Sequence, residues 1–210
     1  MNSNVWLPNF ALSNNKFKEM MQLIKIFRNT SLTIQGTFAF VSLGLYFLSS
    51  YILKRSYLLS KFPVPYFEQQ ISFDAVKMKE WYAFMIEQGT FRIYLKTQFI
   101  DFAFIAAVIL AGFTVWTFVA NLHPKGNFFE RYGKKLAFAL PIAAAFDILE
   151  NIISFLMIAN PANFNDAIIF PYSTFAVLKF TFWTLGLIGL LILLLSLPFI
   201  YLQKYLKRSN

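Results

Sequence analysis

The sequence predicts an all-α membrane protein, a bundle of four transmembrane helices. Three observations carry that prediction. Apolar residues make up 58% of the 210-residue chain and charged residues only 14%, against roughly half and a quarter in ordinary soluble domains. Phe alone occurs 27 times, more often than the 19 Lys and Arg together. Four apolar stretches also approach or exceed the roughly 20 residues that cross a bilayer at about 1.5 Å per residue.

The chain opens with a basic segment, residues 1–30. Between Asn15 and Arg28, Phe17, Met20, Met21, Ile24 and Phe27 recur at helical spacing, with Lys16, Lys18, Lys25 and Arg28 mostly on the other face. This pattern predicts an amphipathic helix lying on the membrane surface. Spans follow at about 31–53, 98–122, 136–159 and 173–202, and a short tail ends the chain at 203–210.

Residues 54–97 form the largest segment outside the spans. Phe62-Pro63-Val64-Pro65-Tyr66 makes its start stiff and non-helical. Ser72 is the expected N-cap of a helix carrying Ala75, Met78, Trp81, Tyr82 and Met85 on one face. Gly89 ends that helix, and Thr90 is placed to cap the next. The helix is expected either to lie in the interface or to cover the mouth of the bundle. His123 reads as a solvated residue of the Leu122-His123-Pro124-Lys125-Gly126 turn. Pro141 frees the carbonyl of Ala137 and is expected to kink the third span. The alanines around it permit close helix approach on the cytoplasmic half, so a bundle tight inside and open outside is expected.

Basic residues sort between the two sides. Eleven (Lys16, Lys18, Lys25, Arg28, Lys125, Arg131, Lys134, Lys135, Lys204, Lys207 and Arg208) fall with the termini. Seven (Lys54, Arg55, Lys61, Lys77, Lys79, Arg92 and Lys96) fall in the long segment, diluted by acids. The positive-inside rule then places both termini in the cytoplasm and the chain in the inner (plasma) membrane. The net charge of +9 is accounted for by this asymmetry and by anionic lipid, so membrane lipids are the expected partners and nucleic acid is not. With no Cys and one His, soft-metal and thiol chemistry are excluded. No cofactor or metal is expected.

The third span holds the informative residues. Asp147, Glu150 and Asn151 stand at i, i+3 and i+4, on one helical face that Ser154 extends. A charged residue at mid-bilayer costs about 3 kcal/mol on insertion scales, so this face should turn into the bundle. Asp101 in the second span and Lys179 in the fourth lie at matching depth. Lys179 is expected to pair with Glu150 or Asp101, leaving Asp147 deeper and protonated.

Ala139-Leu140-Pro141 followed by Asp147-Ile148-Leu149-Glu150-Asn151 resembles an uncharacterised family of small four-span bacterial membrane proteins whose third span carries Leu-Pro and then Asp-x-x-Glu-Asn. Arg92-Ile93-Tyr94 ahead of Asp101 is one residue tighter than the Arg-x-x-Tyr pattern of that family. The resemblance implies the four-span architecture and no activity.

Three function classes fit these residues. One is a small amphiphile or lipid bound in an outward-facing polar pocket, or an accessory-subunit role. The second is a membrane-embedded enzyme using the carboxylates on a lipid-like substrate. The third is an ion or proton pathway, which would require an oligomer. Asp101, Asp147, Glu150, Asn151 and Lys179 are the candidate ligand or proton-site residues, and no catalytic group is singled out. The sequence leaves oligomeric state open.

Overall fold

The computed structural model describes the backbone of residues 7–209 and the side chains of residues 18–202, 205 and 206. The side chains of Lys16, Phe17, Lys204, Lys207 and Arg208, used in the sequence reading, lie outside the described residues. The chain is all-α. Its helices are α1 (Leu7–Arg28), α2 (Leu32–Leu59), α3 (Tyr66–Gln70), α4 (Ala75–Glu87), α5 (Phe91–Asn121), α6 (Phe128–Leu136), α7 (Ala139–Ala159) and α8 (Ile169–Ser209). A 3-10 turn at Asp166–Ile168 leads into α8.

Four helical stretches are long and apolar enough to cross a membrane: α2, α5, α6 continued by α7, and α8 with its lead-in turn. This is the pattern of a multi-pass membrane protein. The helices outrun the hydropathy spans, because helix continues where the chain leaves an apolar environment. α2 reaches Leu59 and α5 begins at Phe91, so the segment joining them, here called the distal segment, is 60–90 rather than 54–97.

The spanning helices pack as a row, α2 on α5, α5 on α7 and α7 on α8, and α2 makes no comparable contact with α8. Towards the end carrying the termini, small residues let the helices close up. A Cβ added at Gly112 would lie 2.5 Å from Leu140 Cβ, and one at Gly133 would lie 2.7 Å from Ala120 Cβ. Trp116 Nε1 donates to Gly186 O at 3.2 Å, tying α5 to α8.

Local chemistry sets the helix ends. Ser31 Oγ accepts from Ile34 N and caps α2. Asp74, not Ser72, caps α4: its Oδ1 accepts from Lys77 N at 3.0 Å. Phe73 has φ 51°, a left-handed conformation uncommon for a bulky residue. The chain reverses there and helix geometry starts two residues later than the Ser72 cap implied. Gly89, at φ 67°, ends α4 as expected. Thr90 precedes α5 without capping it, because its hydroxyl donates to Ser60 O at 2.6 Å.

Two more expectations need correction. The third span does not kink at Pro141 but breaks just before it. Pro141 falls in the first turn of α7, and the break lies at Ala137–Phe138, where the Ala137 carbonyl has lost its donor. His123 is not solvated: it is 3% exposed, with Nδ1 3.0 Å from Val119 O and Nε2 2.8 Å from Ser196 Oγ. The turn around it folds under α8, and α6 occupies what hydropathy left as loop.

Candidate functional site: a charged network at the end of a lateral cavity

The candidate residues meet because their helices carry them to one depth. Asp101 stands ten residues after the start of α5, Lys179 ten after the start of α8, and Glu150 nine before the end of α7. At about 1.5 Å per residue these are all roughly 13–15 Å from the distal helix ends.

Lys179 is the hub. Its Nζ donates to Asp147 Oδ1 at 3.0 Å and to Gln70 Oε1 at 3.1 Å. Glu150 Oε2 lies 2.5 Å from the same nitrogen, a direct ion pair, while Glu150 Oε1 has no hydrogen-bond partner. Lys179 thus holds both acids of α7, which corrects the expectation that Asp147 is left without a cation. Asp101 is the acid left apart: its Oδ2 accepts from Asn151 Nδ2 at 2.8 Å and from Tyr66 OH at 3.1 Å. Asp101, Asp147, Glu150, Asn151 and Lys179 are all at least 95% buried. A cluster so dehydrated is held by mutual pairing, and loss of one partner leaves a buried charge uncompensated.

The sequence reading missed the contribution of the distal segment. α3 dips into the bundle between the left-handed residues Lys61 and Phe73. Tyr66 and Gln70 complete the network described above. Gln69, fully buried, donates through Nε2 to Tyr94 OH at 2.7 Å and Tyr172 OH at 2.9 Å. α4 then covers this end of the bundle with Met78, Tyr82 and Met85, all fully buried. It covers the mouth through a core that includes Tyr94, Phe164 and Tyr172. Tyr94 is the tyrosine of the Arg92-Ile93-Tyr94 pattern; only its place before Asp101 signalled it.

Beside the network lies a cavity of about 830 Å³, within the size range of small-molecule sites. It fills the gap between α2 and α8. Leu53, Lys54 and Leu58 come from α2, Phe180, Trp183 and Thr184 from α8, and Pro63–Tyr66 from above. Phe104 and Trp183 stack in its wall with centroids 6.5 Å apart, and Tyr46 backs both. Its polar end is Asp101, Asp147, Lys179, Tyr66 and Gln70. Its other end reaches the surface, since Leu58 is 68% and Leu187 48% exposed. Glu150 and Asn151 do not line it. They stand behind, holding Lys179 and Asp101 in place.

No family model, curated protein or solved structure matches the chain.

Proposed function

We propose that the chain is an integral membrane protein that takes up a lipid or small amphiphile sideways from the bilayer into the cavity between α2 and α8. The observation that supports this reading is the juxtaposition of an apolar, surface-reaching cavity with a buried charged network at its far end. An amphiphile has the same polarity profile. Its tail would replace water or lipid against Leu53, Phe104 and Trp183, at about 25 cal/mol per Å² of apolar surface buried. Its head would reach the network without leaving the membrane.

The closed half of the bundle weighs against a proton or ion pathway. Towards the termini, Leu140 presses on Gly112 and Leu136 on Gly189, and the adjoining core is Ala137, Ala143 and Ala144. Following the distribution of basic residues, both termini lie in the cytoplasm of a plasma (inner) membrane protein and the distal segment lies outside.

Two experiments test this. Native mass spectrometry of the chain extracted in a mild detergent should find a bound amphiphile that Ser50→Trp, which fills the cavity, removes. Equal occupancy in both chains, or none in either, contradicts the reading. The chain has no Cys, so a single Cys at exposed Asn163 should react with an impermeant thiol reagent added outside. Protection there overturns the orientation.

A further inference from the structure

We infer that the amphiphile taken up by this cavity is an organic cation, with an ammonium head group that seats between Asp101 and Asp147. The inference rests on the amphiphile reading above and adds the sign of the head group.

Charge balance points this way. Three acids share the site with one ammonium: Lys179 pairs with Asp147 and Glu150, and Asp101 has only the neutral Asn151 and Tyr66. That ammonium is already engaged by Asp147, Glu150 and Gln70. The remaining cation in the lining, Lys54, is exposed at the surface end of the cavity. One ammonium balances one ionised carboxylate, so the other acids of this dehydrated site must either hold protons or gain a cation, and a guest ammonium is such a cation.

Unused acceptors point the same way. Asp101 accepts both its hydrogen bonds at Oδ2, and Asp147 accepts its own at Oδ1. Asp101 Oδ1 and Asp147 Oδ2 therefore have no hydrogen-bond partner among the described residues. Both side chains line the cavity, although the residues are only 1% and 4% exposed. The Tyr66 hydroxyl is committed to Asp101 and the Lys179 ammonium to Asp147, Glu150 and Gln70, so no cationic donor is left over at this end. An anionic head would find unpaired carboxylate oxygens beside it and only neutral donors, the Gln70 amide and the Trp183 indole, to receive it.

The walls favour a cation as well. Phe62, Tyr66, Phe104, Phe180 and Trp183 all line the cavity. Aromatic faces attract an ammonium, more strongly when it is desolvated, and they do nothing comparable for an anion. Lys179 already sits this way, 4.9 Å from the Phe180 ring centroid.

The test uses probes with one alkyl chain and different heads: dodecylammonium, dodecanol and dodecyl phosphate. Each is titrated into the full chain in nanodiscs of neutral lipid, below its own micelle-forming concentration. The ammonium probe should bind about tenfold or more tightly than the alcohol, and the phosphate more weakly than either. Asp101→Asn, which keeps the size of the side chain, should shrink the ammonium-to-alcohol ratio to within about threefold of parity. An alcohol that binds as tightly as the ammonium, or a ratio unmoved by Asp101→Asn, overturns the cationic head group and leaves the amphiphile cavity standing. If no probe binds, or if Ser50→Trp weakens none of them, the cavity reading itself fails. Should Asp101→Asn not fold, the ranking of heads on the unaltered chain decides.

Discussion

The two ends of this bundle solve the same packing problem in opposite ways. Towards the termini, Gly112, Gly133 and Gly189 let large side chains from neighbouring helices press directly onto helix backbone. Towards the distal segment, the space between α2 and α8 is walled by aromatic rings and ended by the almost completely buried Gln70, Asp101, Asp147 and Lys179. Small residues allow a dry, close-packed joint, whereas ionisable groups in apolar surroundings must find partners. The closed end is stabilised by shape and the open end by charge pairing. Substitutions at the two ends should therefore fail for different reasons.

The largest effect should come from the open end. Lys179→Met removes the ammonium holding Asp147 and Glu150 and should lower unfolding stability in detergent by about 3–5 kcal/mol. A loss under about 1 kcal/mol would mean that the acids do not depend on the cation, and the contrast between the ends would collapse. At the closed end, Gly112→Leu forces a side chain against Leu140, whose Cβ lies 2.5 Å from the added Cβ. It should cost about 1–3 kcal/mol by overpacking, and an unchanged denaturation midpoint would show that joint to be loose. Gln69→Leu withdraws the amide that donates to Tyr94 and Tyr172. It should cost about 1–3 kcal/mol and loosen the distal segment, seen as faster hydrogen exchange in α3. Exchange unchanged there would mean that Tyr66 and Gln70 alone hold α3 down. The smallest effect belongs to Ser50→Trp. It adds a larger side chain than Gly112→Leu but into open space, and stability should stay within about 0.5 kcal/mol. A larger loss would mean that the cavity is filled in the native chain.

Both ends were legible in the sequence only in part. Hydropathy located the spanning helices, since a bilayer-length apolar run has few other uses. The i, i+3, i+4 spacing of Asp147, Glu150 and Asn151 put them on one face, and helix rise matched the depths of Asp101 and Lys179. Which acid Lys179 would meet did not follow, because depth fixes height but not rotation about each helix axis. The dip of α3 left no signal: Gln69 and Gln70 follow a proline-rich stretch with no apolar periodicity to mark burial, yet both are buried. The cap at Asp74 was displaced by the left-handed Phe73, a conformation no sequence rule assigns to phenylalanine. His123 was misread for a similar reason. Pro124, Lys125 and Gly126 mark a turn correctly but do not say that the turn tucks beneath α8, where Ser196 meets the ring.

The central claim, that the cavity opens sideways to lipid, is tested most directly through Trp183 in its wall. The unaltered chain and Trp183→Phe are reconstituted into bilayers of lipids brominated along the acyl chains, and tryptophan fluorescence is compared with that in unbrominated bilayers. Bromine quenches indole on contact, so the difference between the two chains isolates Trp183. The account predicts strong quenching of this component, relieved when dodecylammonium fills the cavity. A Trp183 component indifferent to bromine would mean that α2 and α8 close against the bilayer, and the account would be wrong.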